Sequence, residues 1–597
     1  MPSFSLKREK VFGPRRQARP KRVNLLVPAI ALVAVAILVW ATKDRIAFYS
    51  ALYEGKRAVD KREFARGREA IERAWSLKPE HPYVLDSAGF LFLSEGAQGW
   101  KAKVDENYAH AVARGLRGNP LINHIKEARK FLDSGRYEQA EVELEHSLML
   151  APHNAQANLL LGHLYYSQAR LAKAIDQYQK ALAISPKSRE ANIALAKAQE
   201  ARNRGSVPYI VDRNGTVLAE QDAVTSMPLY RSDFWLSHVI GYRSSDHGRS
   251  GIEESLASRL PGNVVTLSID SRLQRIADSA LGWQKGAVVI IKPSTGEILA
   301  AVSHPTFRPG NIDRAWNQLK NNENTPLKNR AFEGLYEPGS IAKIITAAAI
   351  IEGKVDVSSV YPMKCRGYLM VGSEVLYDSA AHRTVSSFTQ AFDQSCNVAM
   401  ARMAPMLGTA TITQFLRSFG FGEQDRIDLD VPVAQSRAPL EPDSPMALDM
   451  ACIGLGNDYR ITPLHAALLA ATVANGGVMM APILVREVRS VTNSVILSRT
   501  PKALRTAIRR DTANQLNALM VDFVKNGLGR KARLLRYTVA GKTGTSGNSK
   551  RGLHAWFICF APAEKPELAM AVLCENGGKG NAVAAPIAQK ILSEALR

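Results

Sequence analysis

The sequence predicts three parts in order: one transmembrane helix, an N-terminal all-α segment of helical repeats, and an α/β (α+β) domain whose antiparallel sheet is flanked by helices. Three observations carry this reading. Twenty uncharged residues, Val23 to Thr42, are about enough to span a bilayer core. Pro152 and Pro186 stand 34 residues apart, and the same offset relates Ala140 to Ala174 and Leu161 to Leu195. Further on, the apolar runs 286–289 and 300–303, either side of Lys292-Pro293-Ser294-Thr295-Gly296, read as a hairpin, and Ile341 to Ile351 reads as a buried helix.

Taken from the N-terminus, residues 1–22 form a basic tail, with Lys7, Arg8, Lys10, Arg15, Arg16, Arg19, Lys21 and Arg22 against the single acid Glu9. Such a flank keeps the N-terminus cytoplasmic and sends the chain beyond the anchor, residues 23–42, outward. A cleaved signal peptide is the alternative. The apolar run is long and no convincing Ala-x-Ala comes after it, so an uncleaved anchor is expected.

Residues 43–203 are expected to be helical repeats, because 34 residues is the tetratricopeptide period. In the clearest unit, Leu161-Gly162, Tyr165, Ala174, Tyr178, Ala181 and Pro186 occupy the packing positions of such a repeat. A weaker unit ends at Leu77-Lys78-Pro79, the stretch Tyr83 to Pro120 accommodates a degenerate one, and a helix from Ser188 to Ala201 would cap the array. Two amphipathic helical hairpins that bind nothing would give a similar pattern. Stacked hairpins usually present a concave surface to a peptide or protein partner. A short connecting segment, 204–262, then leads into the larger domain, 263–597.

The 597 residues carry a formal charge of +22, from 77 basic and 55 acidic residues. The tail alone contributes +7 of this (eight basic residues minus one acid), leaving +15 spread along the chain. No concentrated basic patch or recognisable nucleic-acid fold accompanies it, so no nucleic-acid partner is expected. A basic outer domain suits anionic lipid surfaces or acidic polymers. The five cysteines, Cys365, Cys396, Cys452, Cys559 and Cys574, show no metal-ligand spacing, and no metal or cofactor is expected.

Three short motifs stand in one order: Ser340-Ile341-Ala342-Lys343, Ser395-Cys396-Asn397 and Lys542-Thr543-Gly544. Each alone has an ordinary reading: a solvated lysine on a core helix, a helix cap, a polar turn. Together they supply a nucleophile, candidate bases and an electrophile-binding strand for acyl transfer. Glu337-Pro338-Gly339 reads as a turn from which Ser340 begins a helix, so Ser340 and Lys343 share a helical face. Free N–H groups at that helix start would favour the charge on an attacked carbonyl oxygen.

A serine hydroxyl needs a base, and Lys343 is one only if burial or a second cation such as Lys542 lowers its proton affinity. Ser395 offers a hydroxyl relay between the two amines. Asn397 offers an amide either to hold a substrate carbonyl or to fix Lys343. Tyr537 to Gly541 suits a strand leading to Lys542, along which a peptide lies, with Thr543 and Thr545 aiming hydroxyls at a carboxylate. Cys396 invites a nucleophile reading, but a small buried core residue fits it better.

From Arg204 to the C-terminus the chain resembles the class B penicillin-binding proteins, membrane-anchored D,D-transpeptidases of peptidoglycan synthesis. The resemblance begins at Arg204-Gly205-Ser206 and Val211-Asp212-Arg213-Asn214-Gly215-Thr216 and continues through Gly248-Arg249-Ser250-Gly251 and Leu335-Tyr336-Glu337-Pro338-Gly339-Ser340. It runs on through Ile453-Gly454-Leu455-Gly456, Ala474-Asn475-Gly476-Gly477, His554-Ala555-Trp556-Phe557 and Glu575-Asn576-Gly577-Gly578.

The resemblance implies that Ser340 is acylated, Lys343 is the base, Ser395 relays the proton and Asn397 contacts the donor peptide. It further implies that Lys542, Thr543, Gly544 and Thr545 bind the terminal carboxylate, with the N–H groups of Ser340 and Thr545 as the oxyanion hole. The expected substrates are peptidoglycan stem peptides, the expected inhibitors β-lactams, and the expected place the bacterial inner (cytoplasmic) membrane, catalytic domain outward. The helical repeats would then dock another envelope or division protein.

Two departures matter. Members of the elongation type often place a second cysteine after the position of Cys365, ahead of a His-Gly; here Leu376 to Arg383 stands instead, so no local disulfide is expected. Residues 204–262 are short for the family's pedestal, which implies a reduced one. A D,D-carboxypeptidase, a β-lactamase or a non-catalytic penicillin-binding scaffold or sensor would carry similar motifs. The Glu-x-x-Leu-Asn motif of class A β-lactamases is missing between Asn397 and Lys542.

Overall fold

The computed structural model describes residues 43–44, 47–55, 57–58, 63–78, 120–204, 206–222, 225–232, 234–260, 263–422, 426–490, 492–548 and 552–597. The basic tail, the expected anchor and nearly all of the expected degenerate repeat lie outside them. No helix among the described residues is long and apolar enough to cross a membrane. The chain divides into two compact units: the described residues up to His124 with Glu145–Pro152, and Ile125–Leu144 with His153–Arg597.

In the first unit, helix α1 (Phe64–Leu77) buries Ala70, Ile71 and Ala74 at helical spacing, and Ala74 packs with Phe48 and Ala51. Helices α2 (Pro120–Asp133) and α3 (Tyr137–Leu150) come next in the chain.

The second unit contains the antiparallel pair α4 (Ala155–Ser167) and α5 (Leu171–Ile184), capped by α6 (Arg189–Arg204). Asn154 caps α4 through a bond from Ala157 N–H. A Cβ at Gly162 would meet the Tyr178 ring at 2.4 Å, so only glycine lets α4 and α5 close to this distance. Leu161, Tyr165, Ala174, Tyr178 and Ala181 are all buried, the positions the 34-residue period picks out. Asp133 accepts bonds from Ser490 Oγ (2.9 Å) and Thr492 Oγ1 (2.6 Å) of the larger domain.

The chain then builds a six-stranded and a five-stranded sheet, with smaller two-stranded ones beside them. Strands β1 (Ser206–Val211), β2 (Val217–Asp222) and β3 (Pro228–Tyr230) form a meander whose first turn is held by Asp212, which accepts from the N–H groups of Asn214 and Thr216. Strand β4 (Asn263–Leu267) pairs parallel with β1. The chain leaves this sheet for helix α7 (Ser271–Leu281) and the predicted hairpin, β5 (Gly286–Ile291) and β6 (Ile298–His304).

Next come helix α8 (Lys343–Glu352), an outlying hairpin of β7 (Tyr368–Val371) and β8 (Glu374–Tyr377), and helices α9 (Phe388–Asp393), α10 (Asn397–Ser418), α11 (Pro445–Ile453) and α12 (Pro463–Ala474). Strands β9 (Val485–Ser490) and β10 (Val495–Ser498) return to the first sheet, giving the order β10-β9-β4-β1-β2-β3. Residues 204–262 therefore share their sheet with later parts of the chain. Three of its six strands, β4, β9 and β10, lie beyond residue 262.

Helix α13 (Arg510–Lys525), strands β11 (Ala540–Asn548), β12 (Gly552–Ala561) and β13 (Leu568–Cys574), and helix α14 (Ala584–Ala595) complete the chain. The second sheet is antiparallel, in the order β11-β12-β13-β5-β6. Every residue of β5 and β13 is buried, which requires cover on both faces; α12 packs on β13, β5 and β12, and α7 and α14 also pack against the sheet. Strand β11 lies at the edge. Its outer N–H and C=O groups have no strand partner within the sheet, and the site lies beside it.

Candidate active site

Ser340 does not begin the α-helix that the sequence predicts. It lies in a one-turn 3₁₀ helix, Gly339–Ala342, and the α-helix starts at Lys343. The tighter turn results from Gly339, whose φ of +56° suits glycine and whose backbone is pressed against β11: a Cβ there would stand 2.6 Å from Thr545 O. Gly544 makes the reciprocal approach, since a Cβ on it would lie 2.9 Å from Pro338 O and 3.0 Å from Ile341 Cγ2. Nucleophile turn and edge strand thus touch through two glycines.

Glu337 braces this junction. Its carboxylate accepts from the N–H groups of Gly456 (2.7 Å) and Gly547 (3.1 Å), and its carbonyl accepts from Ser546 Oγ and Trp556 Nε1. Beneath it, Glu575 accepts from Tyr336 Oη and from the buried Arg330.

Strand β11 begins at Ala540 and itself carries the Lys542 motif, whereas the sequence placed a strand just before it. Lys542 faces inward. Its amine donates to Ser395 Oγ (2.7 Å) and to Thr543 O (3.2 Å), and sits 4.3 Å from the Phe523 ring centroid and 5.5 Å from that of Phe392. Strand alternation puts Thr543 and Thr545 on the other face, where Thr545 Oγ1 accepts from Gly580 N–H.

Lys343 donates to Ser395 O (2.6 Å), to Asn397 Oδ1 (2.6 Å) and, more weakly, to Ser395 Oγ (3.5 Å). Asn397 Oδ1 thus holds the Lys343 amine. No hydrogen bond among the described residues engages Ser340 Oγ, so the amine is held by the second motif beside the nucleophile turn. Ser395 Oγ stands between the two amines, as a relay requires.

Both lysines are 0% exposed. Burial pulls the Lys343 amine down to about 8, opposed chiefly by the charge of Asp378. Burial, then the neighbouring Lys343 charge, holds Lys542 well below an ordinary lysine, with Asp393 opposing. Asp393 is itself pushed up to about 8 by burial and by its bond and repulsion with Asp522. A neutral amine at this site therefore costs little near neutral pH.

Ser395 holds φ +55°, a left-handed conformation unfavourable for a residue with a Cβ. The residue responsible for holding the next turn, Asp378, escaped the sequence reading. Its Oδ2 accepts from Asn397 N–H (2.7 Å) and Val398 N–H (3.2 Å) at the start of α10. Tyr377 O accepts from Asn397 Nδ2 at 3.2 Å. Asp378 also meets His382 Nε2 at 3.3 Å and Cys365 Sγ at 3.8 Å.

Cys365, Asp378 and Cys396 come together with their polar atoms within 4.8 Å of one another, a proximity that sequence spacing hid. All five cysteines are buried free thiols. Cys396 caps α10 through a bond from Ala399 N–H, and burial, with Asp378 beside it, pushes its thiol up, the reverse of an activated nucleophile.

The family model for the penicillin binding protein transpeptidase domain matches residues 286–593, and a tetratricopeptide repeat model matches residues 125–189. The chain belongs to the class B penicillin-binding protein family.

This penicillin-binding protein is 35% identical over 364 residues, 56% of this chain and 73% of the relative, to the peptidoglycan D,D-transpeptidase PbpA of Mycobacterium tuberculosis. It is 30% identical over 377 residues, 58% of this chain and 56% of the relative, to the peptidoglycan D,D-transpeptidase MrdA of Acinetobacter baumannii. Among solved structures, the ceftriaxone acyl-enzyme complex of penicillin-binding protein A from M. tuberculosis aligns at a TM-score of 0.60 and 29% identity, covering 66% of this chain and 98% of that one. The D,D-transpeptidase domain of a peptidoglycan glycosyltransferase from Eggerthella lenta aligns at 0.61 and 31%, with the same two coverages.

Proposed function

We propose that this protein is a peptidoglycan D,D-transpeptidase that cross-links stem peptides through an ester on Ser340. The observation that carries the reading is the Ser395 hydroxyl set between two buried amines, beside a nucleophile turn that abuts a free sheet edge.

The donor peptide lies along the outer edge of β11 and pairs with its unpartnered backbone groups, while Thr543 and Thr545 meet its terminal carboxylate. Ser340 Oγ attacks the carbonyl carbon of the penultimate D-alanine as its proton passes to neutral Lys343. The N–H groups of Ser340 and Thr545 receive the developing oxyanion. The C–N bond breaks, and the proton travels by way of Ser395 Oγ to the departing amine of D-alanine. An acceptor amine then attacks the ester, gives up a proton along the same path, and restores the Ser340 hydroxyl. A β-lactam enters the same first step, and its ring amide opens to leave an ester on Ser340.

The uncharged run 23–42 with its basic flank supports an inner-membrane anchor with the catalytic domain outside, and the repeat match supports docking of an envelope or division protein. A fluorescent penicillin should label wild type and leave Ser340→Ala unlabelled; equal labelling would end the assignment. Mass spectrometry of donor plus acceptor peptides should show the cross-linked product. Hydrolysed donor alone would make the protein a carboxypeptidase.

A further inference from the structure

The second motif has no regular secondary structure of its own. Ser395 is left-handed, Cys396 is the cap residue, and only Asn397 enters α10. Something outside the motif must hold the Asn397 amide where it meets Lys343. Two consecutive residues at the end of the outlying β7–β8 hairpin do so: the Tyr377 carbonyl takes the Asn397 side-chain N–H, and the Asp378 carboxylate takes the Asn397 and Val398 backbone N–H groups. The Asp378 side chain is fully buried, and both its oxygens are engaged.

We infer that Asp378 is a positioning residue for the acylation step, which both fixes the Ser395–Asn397 turn against Lys343 and sets the charge that the Lys343 amine feels. The inference rests on the transpeptidase reading of the site. Asp378 acts through Asn397 and Lys343 and does not touch the substrate.

The electrostatics agree in sign. Burial alone would raise the Asp378 carboxyl, yet the bond from His382, the Lys343 charge and bonds from Cys396 and Val398 hold it below the ordinary range, so it is a carboxylate when the enzyme works. That negative charge favours protonated Lys343 and opposes the effect of burial. The groups facing the pair are Lys542 from β11, Cys396 from the turn before α10, and Cys365 and His382 around the hairpin; Asp393 stands beyond Lys542. Removing the carboxylate charge should make Lys343 easier to deprotonate and bring the active base form to lower pH.

The test is the pH profile of penicillin acylation at Ser340, with melting temperature measured in parallel. Wild type should gain rate with rising pH around the Lys343 transition. Asp378→Asn keeps an acceptor for the two N–H groups and removes the charge, so its midpoint should fall by about one unit. Asp378→Glu keeps the charge on a longer arm, so its midpoint should stay while its plateau rate drops by roughly 10-fold or more, the effect of a charged hydrogen bond worth 1.5–3 kcal/mol. His382→Gln keeps a donor to Asp378 and should retain the wild-type midpoint.

An unmoved midpoint in Asp378→Asn, with only a lowered melting temperature, means the carboxylate supports the fold alone and overturns the inference. So does a midpoint shift in Asp378→Glu or in His382→Gln, because the titration then belongs to something other than the Asp378 charge. Wild-type protein that takes up no penicillin at Ser340 removes the transpeptidase reading and this inference together, whereas labelled wild type with unmoved variants removes this inference only.

Discussion

The catalytic cleft and the helical repeats bury side chains on opposite terms. Between α4 and α5, small meets large: Gly162 receives the Tyr178 ring, and Ala174 and Ala181 are buried at helical spacing. One buried polar pair there is made locally, between Tyr178 Oη and His163 Nδ1 at 3.0 Å. The cleft buries two like-charged amines side by side and holds a serine in a left-handed conformation between them. Burying such groups costs stability, and the site keeps them because the same burial lowers their proton affinity. Substitutions should therefore separate the two regions, with activity lost in the cleft and stability lost in the repeats.

The largest effect should come from the nucleophile: Ser340→Ala loses penicillin acylation by at least about 1,000-fold, read by gel fluorescence, with the melting temperature nearly unchanged. Lys343→Arg, which cannot serve as a neutral base, should lose roughly 100- to 10,000-fold. Retained activity in that variant would break the comparison, since burial of Lys343 would then have no chemical purpose. Ser395→Ala removes the relay and leaves Lys542 without its closest partner, so acylation should fall while folding is retained. In wild type, the acylation rate should rise with pH through a midpoint of about 8, because the neutral amine is the active form.

The smallest catalytic effect belongs to the repeats. Gly162→Ala forces a methyl into the Tyr178 ring and should destabilise the protein by about 1–3 kcal/mol, measured by denaturant titration, with the acylation rate per folded molecule unchanged. A matching loss of acylation would show that repeats and cleft are energetically one unit.

Much of the fold is legible in the sequence where the controlling interactions are local. The α4–α5 pair and the β5–β6 hairpin stem from periodicity and turn residues that lie within tens of positions of one another. The motif residues are legible as chemistry, and the fold brings Ser395, Lys343 and Lys542 into one hydrogen-bonded group. Misreadings arise where distant chain segments compete. Ser340 sits in a 3₁₀ turn because β11 presses on Gly339, 206 residues before its neighbour Thr545 (545 minus 339). Likewise, β4, β9 and β10 join the sheet of β1–β3 from later in the chain, a pairing that local spacing does not reveal.

The sequence by itself determined the three motifs, the repeat period and the strand alternation, because these depend on residue type and on spacings within single elements. Only the tertiary structure decided which amine meets which hydroxyl, that Asp378 grips the turn before α10, and that β11 is left as an open edge. Those outcomes depend on contacts between segments far apart in the chain, where burial and the pairing of buried polar groups set the geometry.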